Sequence, residues 1–214
     1  MFYRYTKAAF IFFTIIGLSG CASYLPYEQQ IPKTNYENNK TILVSVVDNR
    51  FPNSEQSNNF IGVYRQAFGI PVDQYVSDIS PKEPNAELAF FLERRLIDGL
   101  SSGGMKGIIA KINNVPSDDE SENKLNKSLA SRWLLIELQN WYFSTDMHFV
   151  TSFNFDTAYT VYVYDEVEGL IFKKSFKKRQ VIKETSERHN DILRAYRDKL
   201  SEILNEKSIK EALL

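Results

Sequence analysis

Three consecutive runs of period-two alternation constrain this chain more than any other feature of its sequence. Arg132 to Phe143 alternates Leu134, Ile136 and Leu138 with Glu137 and Gln139. Val150 to Tyr164 sets Phe153, Phe155, Tyr159, Val161 and Val163 against Asn154, Asp156, Thr160, Tyr162 and Tyr164. Leu170 to Ile182 follows after the turn Asp165-Glu166-Val167-Glu168-Gly169 and alternates more weakly. Successive side chains of a strand point to opposite faces, so these runs demand a sheet with one packed face and one wetter face.

A sheet with a packed face needs a cover, and two helical patterns supply one. After Pro84-Asn85, with Asn85 as the expected N-cap, Leu88, Phe91, Leu92, Leu96 and Leu100 recur at spacings of three and four. Glu93, Arg94 and Asp98 fall off that stripe, and Gly103-Gly104 ends the helix. A second helix is expected from about Glu187 to Leu204, with Ile192, Tyr196, Leu200, Ile203 and Leu204 as its apolar stripe; Ser208 to Leu214 adds a short turn. Thr41 to Asp48, TILVSVVD, reads as a buried strand. Weaker strands are expected over 61–69, 72–76 and 105–112, with Pro71 barring any continuous central ladder. The acidic stretch Ser117 to Glu122 lacks the ligand spacing and the glycine of a calcium loop and reads as a solvated loop. The expected fold class is α+β: an antiparallel sheet with two amphipathic helices packed on one face.

The N-terminus carries different information. Arg4 and Lys7 precede the apolar stretch Ala8 to Ile16, and small residues follow up to Cys21, the only cysteine in the chain. Leu18-Ser19-Gly20-Cys21 is similar to a bacterial lipobox. That resemblance implies cleavage before Cys21, diacylglycerol on its sulfur and a fatty acyl group such as palmitate on its amine. Two other readings compete: an uncleaved span, since residues 8–27 carry no charge, and an ordinary signal peptide. The expected organisation is a signal peptide over 1–20, the lipidated cysteine with a flexible tether over 21–40, and a single α+β domain over 41–214. Ala22, where aspartate would be an inner-membrane retention signal in this class, implies an outer-membrane address.

Composition narrows the chemistry. The chain has 26 basic and 27 acidic residues, so no positive field favours nucleic acid. One cysteine and two histidines exclude a disulfide framework and leave little for a metal cluster. No nucleophile elbow, zinc-protease helix or phosphate-binding loop is present. His148 and His189 have no partner motif and read as solvated. No catalytic residue, metal or cofactor is therefore expected. The sharpest remaining feature is the basic run Lys173, Lys174, Lys177, Lys178 and Arg179. It is a candidate contact for an anionic surface or acidic partner, or else protects an edge strand from pairing with another chain.

The lipobox, a first strand ending Val47-Asp48-Asn49-Arg50, the following Ile61-Gly62, an L-x3-L-x3-L helix ending at glycine and a terminal helix closing on Ile203-Leu204-Asn205 together resemble the YajG-type and, more loosely, PqiC-type periplasmic lipoproteins. The resemblance spans residues 41–214. It implies a non-catalytic binding or assembly accessory, anchored in the outer membrane through Cys21 and facing the periplasm, with a protein partner in the envelope. Two alternatives remain open at this stage: an auxiliary lipoprotein of an ABC or MCE-type lipid-transport system, and an envelope hydrolase.

Overall fold

The computed structural model describes residues 23–52, 55–147 and 152–214. Strand β1 (Thr41–Asp48) leads through a loop to β2 (Phe60–Arg65) and β3 (Pro71–Tyr75). The short helix α1 (Val76–Ile79) and the long helix α2 (Leu88–Ser102) precede β4 (Lys106–Ile109) and α3 (Asp118–Ser128). Strands β5 (Arg132–Asp146), β6 (Ser152–Asp165) and β7 (Gly169–Ile182) follow, and α4 (Arg188–Asn205) and α5 (Lys207–Leu213) close the chain.

The sheet is mixed rather than antiparallel. β5, β6 and β7 form the expected antiparallel meander, and β2 pairs antiparallel with β3. β1, however, runs parallel to both β4 and β5, and β2 runs parallel to β5. The reason is topological. Helices intervene between β1 and β4 and between β4 and β5, and a helical crossover returns the chain to the end of the sheet from which it started. Alternation reports which face a side chain takes and carries no information on strand direction.

β5 is the hub. One of its edges pairs with β6 along its length. The other edge is shared: β1 occupies it from Arg132 to Leu138, and β2 takes over at Phe143 and Ser144. Between these two partners the strand bulges past Leu138, and its carbonyls would be left without donors. Arg50 fills the fork. Its Nη1 donates to Trp141 O (3.2 Å) and Phe60 O (2.7 Å), and its Nη2 donates to Asn58 O (3.2 Å). Asp48 holds the guanidinium in a bidentate pair, 2.8 Å from Nε and 2.7 Å from Nη2, with only 1% of the arginine side chain exposed.

The main core lies on one face of the sheet, beneath α1, α2, α4 and α5. All five expected stripe residues of α2 are buried there, as are those of α4. Its centre is aromatic: Phe143 stacks on Phe155 at 4.4 Å, Trp141 meets Phe155 edge-on at 5.2 Å, and Tyr196 of α4 lies within 6.0 Å of both phenylalanines, Trp141 and Phe91. The opposite face is dry in part. Leu43, Val47, Trp133, Leu135, Tyr162 and Tyr164 make a second core with Leu125 of α3.

Three local expectations are corrected. The acidic stretch is the first turn of α3, not a loop: Ser117 Oγ accepts from Glu120 N–H, Glu120 reaches back to Ser117 N–H, and Asp118, Asp119 and Glu120 complement the helix dipole. α2 starts at Leu88 behind Glu87, so Asn85 is not its cap. Glu93 is buried, 6% exposed, rather than off the packed face. Pro71 opens the edge strand β3 opposite Arg65, a position that tolerates it.

Replacing Arg50 by Met leaves the Asp48 carboxylate without its counter-charge and removes the guanidinium donor from Phe60 O and Trp141 O, while Asn58 O keeps Leu88 N–H. The expected loss is about 3–5 kcal/mol in urea unfolding, comparable to the roughly 2–5 kcal/mol expected for Leu96→Ala in the main core. An Arg50→Met loss under about 1 kcal/mol would show that the fork holds without its clip.

Candidate functional site

Residues 23–40, expected as a flexible tether, are a strap bound along the helical layer. Ser23 O accepts from Asn190 Nδ2 at 2.7 Å, and Leu25 N–H donates to Asn190 Oδ1 at 2.6 Å, which fixes the start of the strap to the first turn of α4. At the other end Tyr36 N–H donates to Gly103 O (2.9 Å), its hydroxyl donates to Leu204 O (2.5 Å), and Asn205 Nδ2 donates to Lys33 O (2.7 Å). The strap thus covers the 18-residue length of α4, about 27 Å. Leu25 and Tyr36 join the main core.

Glycines admit it. A Cβ at Gly99 would stand 2.4 Å from Pro32 Cγ, and one at Gly103 would stand 2.0 Å from Thr34 Oγ1. Gly99 and Gly103 are one helical turn apart on α2 and form the floor on which the strap lies. Gly103 also closes the helix, its N–H donating to Gly99 O at 3.1 Å.

Beside this contact sits a polar cluster that the sequence stripe did not announce. Arg95, 1% exposed, donates from Nη2 to Gln30 Oε1 of the strap (2.5 Å) and to Glu83 Oε2 (3.0 Å), and from Nη1 to Phe91 O (3.0 Å). Arg94 reaches Glu83 Oε1 at 2.8 Å. Burial pushes the Glu83 carboxyl up, but the charge and hydrogen bond of Arg95, with Ser80 and Arg94, outweigh it and hold the group below its ordinary range. The Tyr27 hydroxyl donates to Asp98 Oδ2 at 2.5 Å; burial first, then that carboxylate, pushes it up to about 12.

Two clefts flank the cluster. One, of about 470 Å³, is walled by Leu25, Pro26, Ile79 and Pro81 and rimmed by Lys82 and Arg94. The other, of about 620 Å³, lies between α2 and the end of β4 and includes Glu93, Phe90 and Lys111. Glu93 Oε1 accepts from Val46 N–H at 2.9 Å, a group of β1 that lies beyond its last β4 partner, Val44. Burial raises the Glu93 carboxyl above its ordinary range, against the smaller opposing effects of that N–H and Lys111.

The residues singled out from the sequence fall elsewhere. Cys21 and His148 lie outside the described residues. Lys173, Lys174, Lys177, Lys178 and Arg179 are all exposed on β7, an edge strand, but alternation divides them between its two faces. Lys174 and Lys178 turn toward the helices and pair with Glu206 (2.7 Å) and Glu202 (3.6 Å). Arg179 forms a bidentate pair with Asp156, at 2.6 and 2.9 Å, and Lys173 stands over the Tyr162 ring. The Lys174 hydrogen bond, with Ser208, holds Glu206 at about 2. His189 is half-buried against the strap, its ring 4.4 Å from that of Tyr24 and its Nε2 3.2 Å from Ser23 O. Among the described residues, no group of three or more His, Cys, Asp or Glu is placed to hold a metal.

No family model and no curated protein matches the chain. Among solved structures, it is similar to a DUF330 protein from Xanthomonas campestris, at 8% identity over 85% of this chain and 92% of that one, with a TM-score of 0.48. The PelC dodecamer of Paraburkholderia phytofirmans aligns at 9% identity over 81% and 89%, with a TM-score of 0.41. Lipoprotein GNA1162 of Neisseria meningitidis aligns at 12% identity over 76% and 98%, with a TM-score of 0.36.

Two measurements check this site. Gly103→Val collides with Thr34 and should expose the strap to protease within residues 23–40 while the rest of the domain resists; an unchanged digestion pattern would refute the docking. Glu93→Gln keeps the acceptor for Val46 and removes the charge. A raised carboxyl favours the folded state below the ordinary carboxylate range, and that advantage is lost as pH rises through the raised value. The variant should therefore gain stability relative to the parent chain between acid and neutral pH. Parallel pH profiles would show that Glu93 titrates as in the unfolded chain.

Proposed function

We propose that this chain is a lipid-anchored, non-catalytic lipoprotein of the bacterial envelope, held by Cys21 at the periplasmic side of the outer membrane, where it acts as a binding or assembly accessory. One observation carries the reading. Ser23, the first described residue, is already hydrogen-bonded to α4, and it stands two residues beyond the cysteine that the lipobox Leu18-Ser19-Gly20-Cys21 would make the first residue of the mature chain. In sequence, a single residue, Ala22, separates that cysteine from the fold. Stable anchoring takes about two lipid signals, which a diacylated and N-acylated cysteine supplies. No helix among the described residues is long and apolar enough to cross a membrane.

The cleft at the start of the strap favours a second reading, an auxiliary lipoprotein of a lipid-transport system. Its apolar wall of Leu25, Pro26, Ile79 and Pro81 suits an acyl chain, and Lys82 on its rim suits an anionic head, Arg94 there being paired with Glu83.

Cys21→Ala should abolish incorporation of a palmitate analogue, leave unprocessed precursor and remove the protein from the outer-membrane fraction. A variant that still matures and fractionates with that membrane would refute the anchor.

A further inference from the structure

The first described residue of the strap, Ser23, and one strained, fully exposed aromatic residue lie at the same end of the domain. The start of the strap is tied to Asn190 in the first turn of α4, and the neighbouring Arg188 stacks its guanidinium over the Tyr64 ring near the end of β2. At this level β2 meets the end of β5, with Val63 opposite Ser144. Thr145 pairs in turn with Phe153, and Phe153 with Ile182. The β2–β3 turn projects beyond this edge. It is closed by Gly69 N–H donating to Gln66 O (3.0 Å) and Gln66 N–H donating to Ile70 O (2.9 Å).

Phe68 sits at the tip with φ 64° and is 100% exposed. A bulky residue in the left-handed region is disfavoured, and an aromatic ring wholly in water is disfavoured again. Among the described residues, no ring contact is made by Phe68. Ile70 (56% exposed) and Met147 (43% exposed) extend the apolar tip, and a Cβ at Gly69 would stand 3.8 Å from the Met147 sulfur. Arg65 borders the tip, its Nη1 donating to Gly69 O at 3.1 Å, and Arg179 lies in the same cleft as Phe68 and Met147.

We propose that this end of the domain rests on the bilayer that holds Cys21, with Phe68, Ile70 and Met147 entering the interfacial layer and Arg65 at headgroup level. The proposal rests on the lipid-anchor reading above. Its occupant follows from the length of chain left outside the fold. Only Ala22 separates Cys21 from the hydrogen-bonded Ser23, a reach of about 7 Å, so the end of the domain that carries Ser23 faces the membrane. Aromatic and cationic side chains are the groups that settle at such an interface.

The test uses the full chain purified from membranes and reconstituted in vesicles of phosphatidylethanolamine with a minority of phosphatidylglycerol. Mass spectrometry of the intact protein reads the lipid on Cys21. Phe68→Cys and Val167→Cys each accept an environment-sensitive fluorophore; Val167 is exposed in the β6–β7 turn at the far end of the sheet, so neither position bears on the core. The expected result is a blue shift and several-fold stronger quenching by spin-labelled lipid at position 68 than at 167. A lipid-modified protein whose position-68 label stays as aqueous as that at 167 overturns the proposal, leaves the anchor standing and points the tip toward a protein partner. An unmodified Cys21 overturns both.

Discussion

A buried charge pair at the fork of one strand makes the sheet possible. β5 cannot hand its edge from β1 to β2 without a gap, and a gap in a buried sheet leaves carbonyls that water cannot reach. Arg50 closes it by donating to β5, β2 and the loop between β1 and β2 at once, while Asp48 at the end of β1 neutralises it. Burying two charges is favourable only where the remaining donors are satisfied, and here the guanidinium has a partner on each of its three nitrogens. The D-x-R stretch noted in the sequence is thus an architectural element. It converts a strand, a loop and a hairpin into neighbours of one long central strand.

The second organising contact is the strap. An 18-residue segment that precedes the first strand completes the main core with Leu25 and Tyr36 and seats Gln30 on Arg95. Arg95 lies between the apolar sheet-facing stripe and the strap, and its charge is matched by Glu83 from the loop ahead of α2. Residues 23–40 are therefore packed with the domain ahead of β1. The same clamp that fixes the strap also shapes the walls of the apolar cleft beside it.

How much of this was legible follows from what each pattern encodes. Faces were legible: the alternating residues of β6 separate cleanly, Phe153, Phe155, Tyr159, Val161 and Val163 into the main core and Tyr162 and Tyr164 into the second. Strand direction was not, because period two is the same in parallel and antiparallel pairs. α3 escaped notice because it buries only Ser121 and Leu125, too few for a periodic signal, although its capping box Ser117-x-x-Glu120 stood in the sequence. Glu93 looked solvated because its partner, the Val46 amide, is free only where β4 stops short, a fact of tertiary structure. The strap had one local sign, Gly99 and Gly103 spaced by a turn, and Gly103 was already explained as a helix stop. The basic run lies on both faces of β7, and its pairing with Glu202, Glu206 and Asp156 depends on helices and strands distant in sequence.

The strap also sets an order of events. Its partners Asn190, Ser201, Leu204 and Asn205 lie 165 to 172 residues downstream, so its first residues are synthesised first and find their places last. Such a loop closes only after α4 exists, and long-range closures are the slow steps of a folding chain. The strap's contacts with α2, Gln30 with Arg95 and Thr34 with Gly99, span only 65 residues and involve no residue of α4. The C-terminal helix acts as a checkpoint for the remaining contacts. A chain that stops short of it cannot secure its own beginning, and the orientation of the domain relative to its N-terminus is decided only when the last helix is in place.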